Sequence, residues 1–149
     1  MHSLFTPSMR LHLWLENERG ALIGLGRAML LARIKECGSL RQAAESLGIS
    51  YRAAWGKIRQ AQLFLGQDLV HKEGKGYVLT EFGEDLAKSF LKWHDEVERL
   101  ALVMAQDHFP WPVQPYRSAS DSPASVVPTL SAATNSLSSP TDSADKEHS

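Results

Sequence analysis

The chain has 149 residues, 43% of them hydrophobic, and its 16 Lys and Arg against 17 Asp and Glu leave a formal net charge of −1. That is enough for one domain with its own core and hardly enough for two. No apolar run reaches the length of a membrane span, since Gly20, Gly24, Gly26, Arg27 and Arg33 interrupt the only candidate.

In chain order, residues 1–9 read as a flexible N-terminus, and MHSLFTPSMR lacks the basic-then-apolar order of a signal peptide. Arg10 to Glu16 alternates, with Leu11, Leu13 and Leu15 on one side, which predicts a half-buried strand. Asn17 to Gly20 is a turn, after which Ala21 to Ile23 pairs back. A helix over about 27–37 buries Leu30, Leu31 and Ile34 and stops at Gly38. The single Cys37 at its end excludes an internal disulfide, suits a reducing cytoplasm and reads as a small core residue rather than a reactive thiol.

Ser39 to Gly66 carries the most specific pattern. Ser39 and Gln42 form an S-x-x-Q capping box that opens a short helix, and Gly48 closes it. Ser50 caps a second helix whose apolar positions Ala54, Ile58, Ala61 and Leu65 recur at spacings of 4, 3 and 4, one buried stripe. Opposite that stripe fall Arg52, Gly56 and Arg59, with Trp55 on the flank. Gln67 to Lys72 and Tyr77 to Thr80 read as two strands around a turn at 73–76, a small hairpin tipped by Gly and Lys. From Ser39 to Thr80 six Lys and Arg stand against three Asp and Glu, so positive charge gathers here in a chain that is otherwise slightly acidic. The expected fold is mainly α with small β hairpins: a winged helix-turn-helix over residues 10–106, with a long C-terminal helix.

Thr80 caps that helix, and Glu81, Glu84 and Asp85 complement its N-terminal dipole. Leu86, Phe90, Trp93, Val97, Leu100 and Met104 recur at 4, 3, 4, 3 and 4, a heptad seam. The first turns pack on their own domain, and the remainder predicts a homodimer. Residues 107–149, Pro-punctuated and then rich in Ser, Thr and Ala, read as a disordered tail; Pro112-x-x-Pro115 is a weak polyproline pattern within it.

These elements predict double-stranded DNA as the partner. Arg52 and Arg59 are candidates for base-edge contact, because a guanidinium pairs bidentately with guanine. Ser50 and Tyr51 stand at the start of the second helix, where phosphate or sugar lies. Trp55 reads equally as a DNA contact or as core. Ser39 and Arg41 sit at the start of the first helix, a place that commonly abuts phosphate, and Lys72 and Lys75 would hold the wing to the backbone. No catalytic, metal or cofactor site is expected: His2, His12, His71, His94, His108 and His148 show neither metal-ligand spacing nor a pairing with Cys37, and Gly20-x-x-x-Gly24-x-Gly26 fits no nucleotide-binding loop.

SLRQAAESLGISYRAAWGKI, the preceding GLGRAMLLARIKECG and the following LGQDLVHKEGKGYVLTEFG together resemble the N-terminal winged helix-turn-helix domain of ModE-type molybdate-responsive regulators, relatives of the LysR type, over about residues 10–105. Ser50-Tyr51-x-x-Ala54-Trp55 is the ModE-like piece, whereas Leu79-Thr80-x-x-Gly83 is common to both. The resemblance implies a dimeric, cytoplasmic transcription factor that places helix 51–65 in the major groove. The oxyanion-binding domains of such regulators have no counterpart in the low-complexity tail, so an oxyanion effector is not expected on this chain, and a link to molybdate or tungstate metabolism rests on the resemblance alone. A winged helix that has given up DNA for a protein partner is the alternative reading, since fold alone does not fix function.

Overall fold

The computed structural model describes residues 5–117. The elements run β1 (Ser8–Met9), β2 (Trp14–Asn17), β3 (Gly20–Gly24), α1 (Leu25–Cys37), α2 (Leu40–Ser46), α3 (Tyr51–Leu65), β4 (Val70–Glu73), β5 (Gly76–Leu79), α4 (Glu81–His108) and β6 (Gln114–Pro115). Three helices, α1 to α3, surround a core of Leu30, Leu31, Ile34, Leu40, Ala43, Ala44, Ala54, Ile58 and Ala61, to which the wing adds Leu69 and Val70 and α4 adds Ala87 and Phe90. The small residues are what let these short helices approach: a bulkier stripe on α2 would push α3 outward.

Both serines cap their helices, Ser39 through its own half of the expected capping box. The Gln42 backbone N–H donates to Ser39 Oγ at 3.2 Å, and the Ala53 N–H donates to Ser50 Oγ at 3.0 Å. Between them Gly48 has φ +68°, a left-handed conformation that a side chain would strain, and that residue turns the chain from α2 into α3. In the wing, β4 and β5 pair antiparallel with Glu73 opposite Gly76, leaving Gly74-Lys75 as a two-residue loop. Gly74 has φ +61° and Lys75 does not share it, the arrangement of a type II′ hairpin turn.

Helix α4 begins on a knot of backbone bonds. Thr80 Oγ1 accepts from the Gly83 N–H at 3.0 Å and donates to the Asp68 carbonyl at 2.7 Å, while the Thr80 N–H donates to the Leu69 carbonyl at 3.0 Å. The helix then packs along α1 and buries Ala87, Phe90 and His94, while Gly83 lies against the Leu69 backbone. That inward stripe differs from the heptad seam read from sequence. Phe90 is 3% exposed and enclosed by its own domain, and Leu86 is half-buried against the same core. Trp93, Leu100 and Met104 are exposed and Val97 is half-buried, and Val103 joins them on the surface.

Two further boundaries differ from expectation. Ser8 and Met9, placed in a flexible N-terminus, pair in parallel with Gln114 and Pro115, placed in a disordered tail. The Gln114 N–H donates to the Pro7 carbonyl and the Tyr116 N–H to the Met9 carbonyl, both at 2.9 Å, and the Arg10 guanidinium lies 3.8 Å from the Tyr116 ring centroid. Phe5 and Phe109 meet Trp111 at ring-centroid distances of 5.4 and 5.7 Å. Aromatic packing and backbone pairing thus order residues 109–116 despite their prolines, and Ala105 of α4 is buried. The expected disordered stretch from Ser118 to Ser149 lies outside the described residues. The strand expected over residues 10–16 is shifted to Trp14–Asn17; Leu15 is exposed, and Leu11 and Leu13 are half-buried before the strand begins.

Candidate nucleic-acid interface

Helix α3 turns Ala54, Ile58 and Ala61 inward and leaves Arg52, Gly56, Lys57 and Arg59 exposed. Arg52 and Arg59 are seven residues apart, close to two helical turns, so they project from one face about 10 Å apart along the axis. Three contacts gather the other candidate residues around this helix. The Arg41 guanidinium lies 4.6 Å from the ring centroid of Tyr51, joining the start of α2 to the start of α3. Gly76, next to the turn of the wing, lies against Ser39, where an added Cβ would stand 3.9 Å from the serine Cβ. The Trp55 ring lies 4.6 Å from the Tyr77 ring at an interplanar angle of 34°, joining α3 to β5.

Trp55 is therefore half-buried against the wing and packed on the core, with part of its surface still open. Of the two sequence readings of this residue, core or DNA contact, the packing meets the first in part. Lys72 and Lys75 are exposed on the wing, and Ser50 is exposed at the start of α3. Among the described residues the ion pairs are Arg33–Glu36 at 3.2 Å and Lys35–Glu84 at 3.0 Å. Neither uses Arg41, Arg52, Lys57, Arg59, Lys72 or Lys75, so all six exposed cations keep their charge available to an external anion.

Three residues hold this surface in place without having been singled out in the sequence. Gln62 Oε1 accepts from the Leu69 and Val70 N–H groups at 2.8 and 3.1 Å, fixing the end of α3 to the start of β4. Arg27 donates to the Ala21 carbonyl at 2.6 Å and to Gln60 Oε1 at 2.5 Å, tying the β2–β3 hairpin to α3. Burial lowers the Arg27 pKa from its ordinary value by desolvating the cation. Tyr77 supports Trp55. A Gln or Tyr inside a charged or β-rich run carries no signal of its own; only tertiary contact reveals these roles.

Among the described residues no group of three or more His, Cys, Asp or Glu is placed to hold a metal ion, and no helix is long and apolar enough to cross a membrane. Cys37 is a free thiol, half-buried, with its Sγ 3.9 Å from Ser46 Oγ.

Residues 25–84 match the family model described as bacterial regulatory helix-turn-helix protein, lysR family. The molybdenum-pterin-binding protein MopB of Rhodobacter capsulatus is 38% identical over 76 residues, covering 48% of this chain and 28% of the relative. The transcriptional regulator ModE of Haemophilus influenzae is 33% identical over 78 residues, covering 49% of this chain and 29% of the relative. The chain thus spans less than a third of the length of these two curated relatives. Among solved structures, a transcriptional regulator of the LysR family from Eggerthella lenta aligns at 24% identity and a TM-score of 0.39, over 46% of this chain and 96% of that one.

Proposed function

We propose, from a chain whose residues 25–84 form a lysR-family helix-turn-helix domain with ModE-like relatives, that it is a sequence-specific DNA-binding transcriptional regulator. In this reading a homodimer sets helix α3 into the major groove. The observation that carries the reading is the outward face of α3: Arg52 and Arg59 exposed and, among the described residues, outside any ion pair, flanked by the wing and by the start of α2. Arg52 and Arg59 read base edges; Ser50, Tyr51 and the open edge of Trp55 touch phosphate, sugar or a thymine methyl; Ser39, Arg41, Lys72 and Lys75 hold the phosphate backbone.

The dimer is proposed to form through Trp93, Val97, Leu100 and Met104, joined by Val103. A two-fold pair of α3 helices would then read half-sites about one helical turn apart. The protein acts in the cytoplasm on duplex DNA, with no enzymatic step of its own. The likeness to MopB and ModE extends the proposal to regulation linked to molybdate or tungstate, with the oxyanion sensed outside the winged helix.

Selecting bound duplexes from a random-sequence pool, then measuring affinity by fluorescence anisotropy across a salt series, tests this function. A regulator yields an enriched motif and a steep fall of log affinity with log salt, about 0.9 per phosphate contact. The alternative, a winged helix that engages a protein through the exposed apolar face of α4, draws on Leu100, Val103 and Met104 at 60%, 55% and 50% exposure. Indifference to duplex DNA at low salt would favour it.

A further inference from the structure

Of the glycines in this chain, Gly56 has no reason to be glycine within the fold. Gly20, Gly38, Gly48, Gly66 and Gly74 have positive φ. An added Cβ at Gly83 would meet the Leu69 carbonyl, one at Gly24 would sit 3.4 Å from the Trp14 Cβ, and one at Gly76 would touch Ser39. Gly26 has open space around it but lies in the first turn of α1, where helix propensity matters least. Gly56 lies in the middle of the 15-residue α3, is exposed, and would meet nothing within 4 Å on gaining a Cβ. Glycine is the worst ordinary residue for a helix interior, because it loses the most backbone freedom on folding. The fold would be more stable with alanine there.

Its position supplies a reason that lies outside the chain. Gly56 follows Arg52 by four residues and precedes Arg59 by three, so it sits on the same outward face, between the two guanidiniums. We infer that Gly56 is the point of closest approach between α3 and the floor of the major groove. Base-pair edges pack against its bare Cα while Arg52 and Arg59 reach the bases on either side. A methyl group at this position holds the whole helix away from the groove, lengthening both arginine contacts at once. Gly56 is then a specificity-determining position that acts by what it lacks.

The inference rests on the proposed docking of α3, and the test separates the two. The full-length chain, Gly56→Ala and Arg52→Ala are compared on a duplex selected by the wild type from a random pool and on random-sequence duplex, with thermal unfolding alongside. Gly56→Ala should unfold several degrees higher and bind the selected duplex at least tenfold more weakly. Its affinity for random-sequence duplex and its salt slope should be unchanged, because no phosphate-binding cation is lost. Selected-duplex affinity within twofold of wild type, or a lower unfolding temperature, overturns the inference. If Arg52→Ala loses discrimination while Gly56→Ala keeps it, only the inference falls. A wild type that holds selected and random duplex equally well overturns both readings.

Discussion

Gly83→Ala tests the account of how α4 is mounted. A Cβ at this position would collide with the Leu69 carbonyl oxygen and stand 3.1 Å from its carbon and 3.3 Å from its Cα, all rigid backbone atoms. Relief requires the first turn of α4 to retreat from β4 by about 1 Å. The Thr80 N–H donates to that same Leu69 carbonyl at 3.0 Å, and Thr80 Oγ1 bridges the Asp68 carbonyl and the Gly83 N–H, so a retreat stretches the very bonds that start the helix. Overpacking of this kind costs about 1–3 kcal/mol, and weakening the bonds to the 68 and 69 carbonyls adds about 1–2 kcal/mol. The better helix propensity of alanine returns about 1 kcal/mol. The net is a destabilisation of about 1–4 kcal/mol, or a fall in Tm of about 5 °C or more. Urea titration followed by far-ultraviolet circular dichroism, with a thermal scan at fixed protein concentration, reads it directly. A variant as stable as wild type would refute the reasoning, since alanine would then be accommodated where the geometry leaves no room.

The remaining predictions concern the surface of α4 and the cationic face. Leu100→Glu should convert a dimer to a monomer in sedimentation velocity: the 60% exposed side chain gains about 1–2 kcal/mol per protomer on burial, counted twice across a two-fold axis, or about 30-fold or more in Kd; an unchanged assembly would move the interface elsewhere. Replacing Arg52 by alanine should relax sequence preference, whereas Lys75→Ala should weaken all duplexes alike and lower the salt slope by about 0.9; identical effects from both would contradict the assigned geometry. His94 is 6% exposed and its Nε2 has no hydrogen-bond partner among the described residues, so His94→Leu should raise stability by about 1 kcal/mol by removing an unsatisfied polar atom. A loss of stability in the denaturation midpoint would show that the ring nitrogen is held by a contact of its own.

The sequence was most legible where local chemistry decides the outcome. Ser39, Gly48 and Ser50 mark helix ends through bonds to neighbours three or four residues away, and Ala54, Ile58 and Ala61 bury at the spacing a helix imposes, so α2 and α3 could be read directly. The wing followed from β-formers around a Gly-Lys turn. The inward side of α4 is harder to read, because apart from Phe90 its stripe runs through Gly83, Ala87 and His94, two small residues and a polar one that carry little hydrophobic signal. A second stripe of larger groups, Trp93, Leu100 and Met104, dominated the pattern and faces outward. The pairing of Ser8–Met9 with Gln114–Pro115 left no trace at all: two-residue strands have no period, and the partners lie a hundred residues apart in the chain. The cationic positions were visible as charges, but the supports Gln62, Arg27 and Tyr77 act through tertiary contacts that no spacing announces.

Under the proposed docking, the tilted pair of Trp55 and Tyr77 has a consequence for how the protein would leave DNA. The rings join α3 to β5 in an aromatic contact worth about 0.5–1.5 kcal/mol beyond burial, so in the proposed docking the helix in the groove and the wing on the backbone would be coupled as they loosen. Release would then favour a joint event over peeling, and substitutions in the two elements should be non-additive in the dissociation rate. Separating the rings, as Tyr77→Ala does, would turn one grip into two independent fingers.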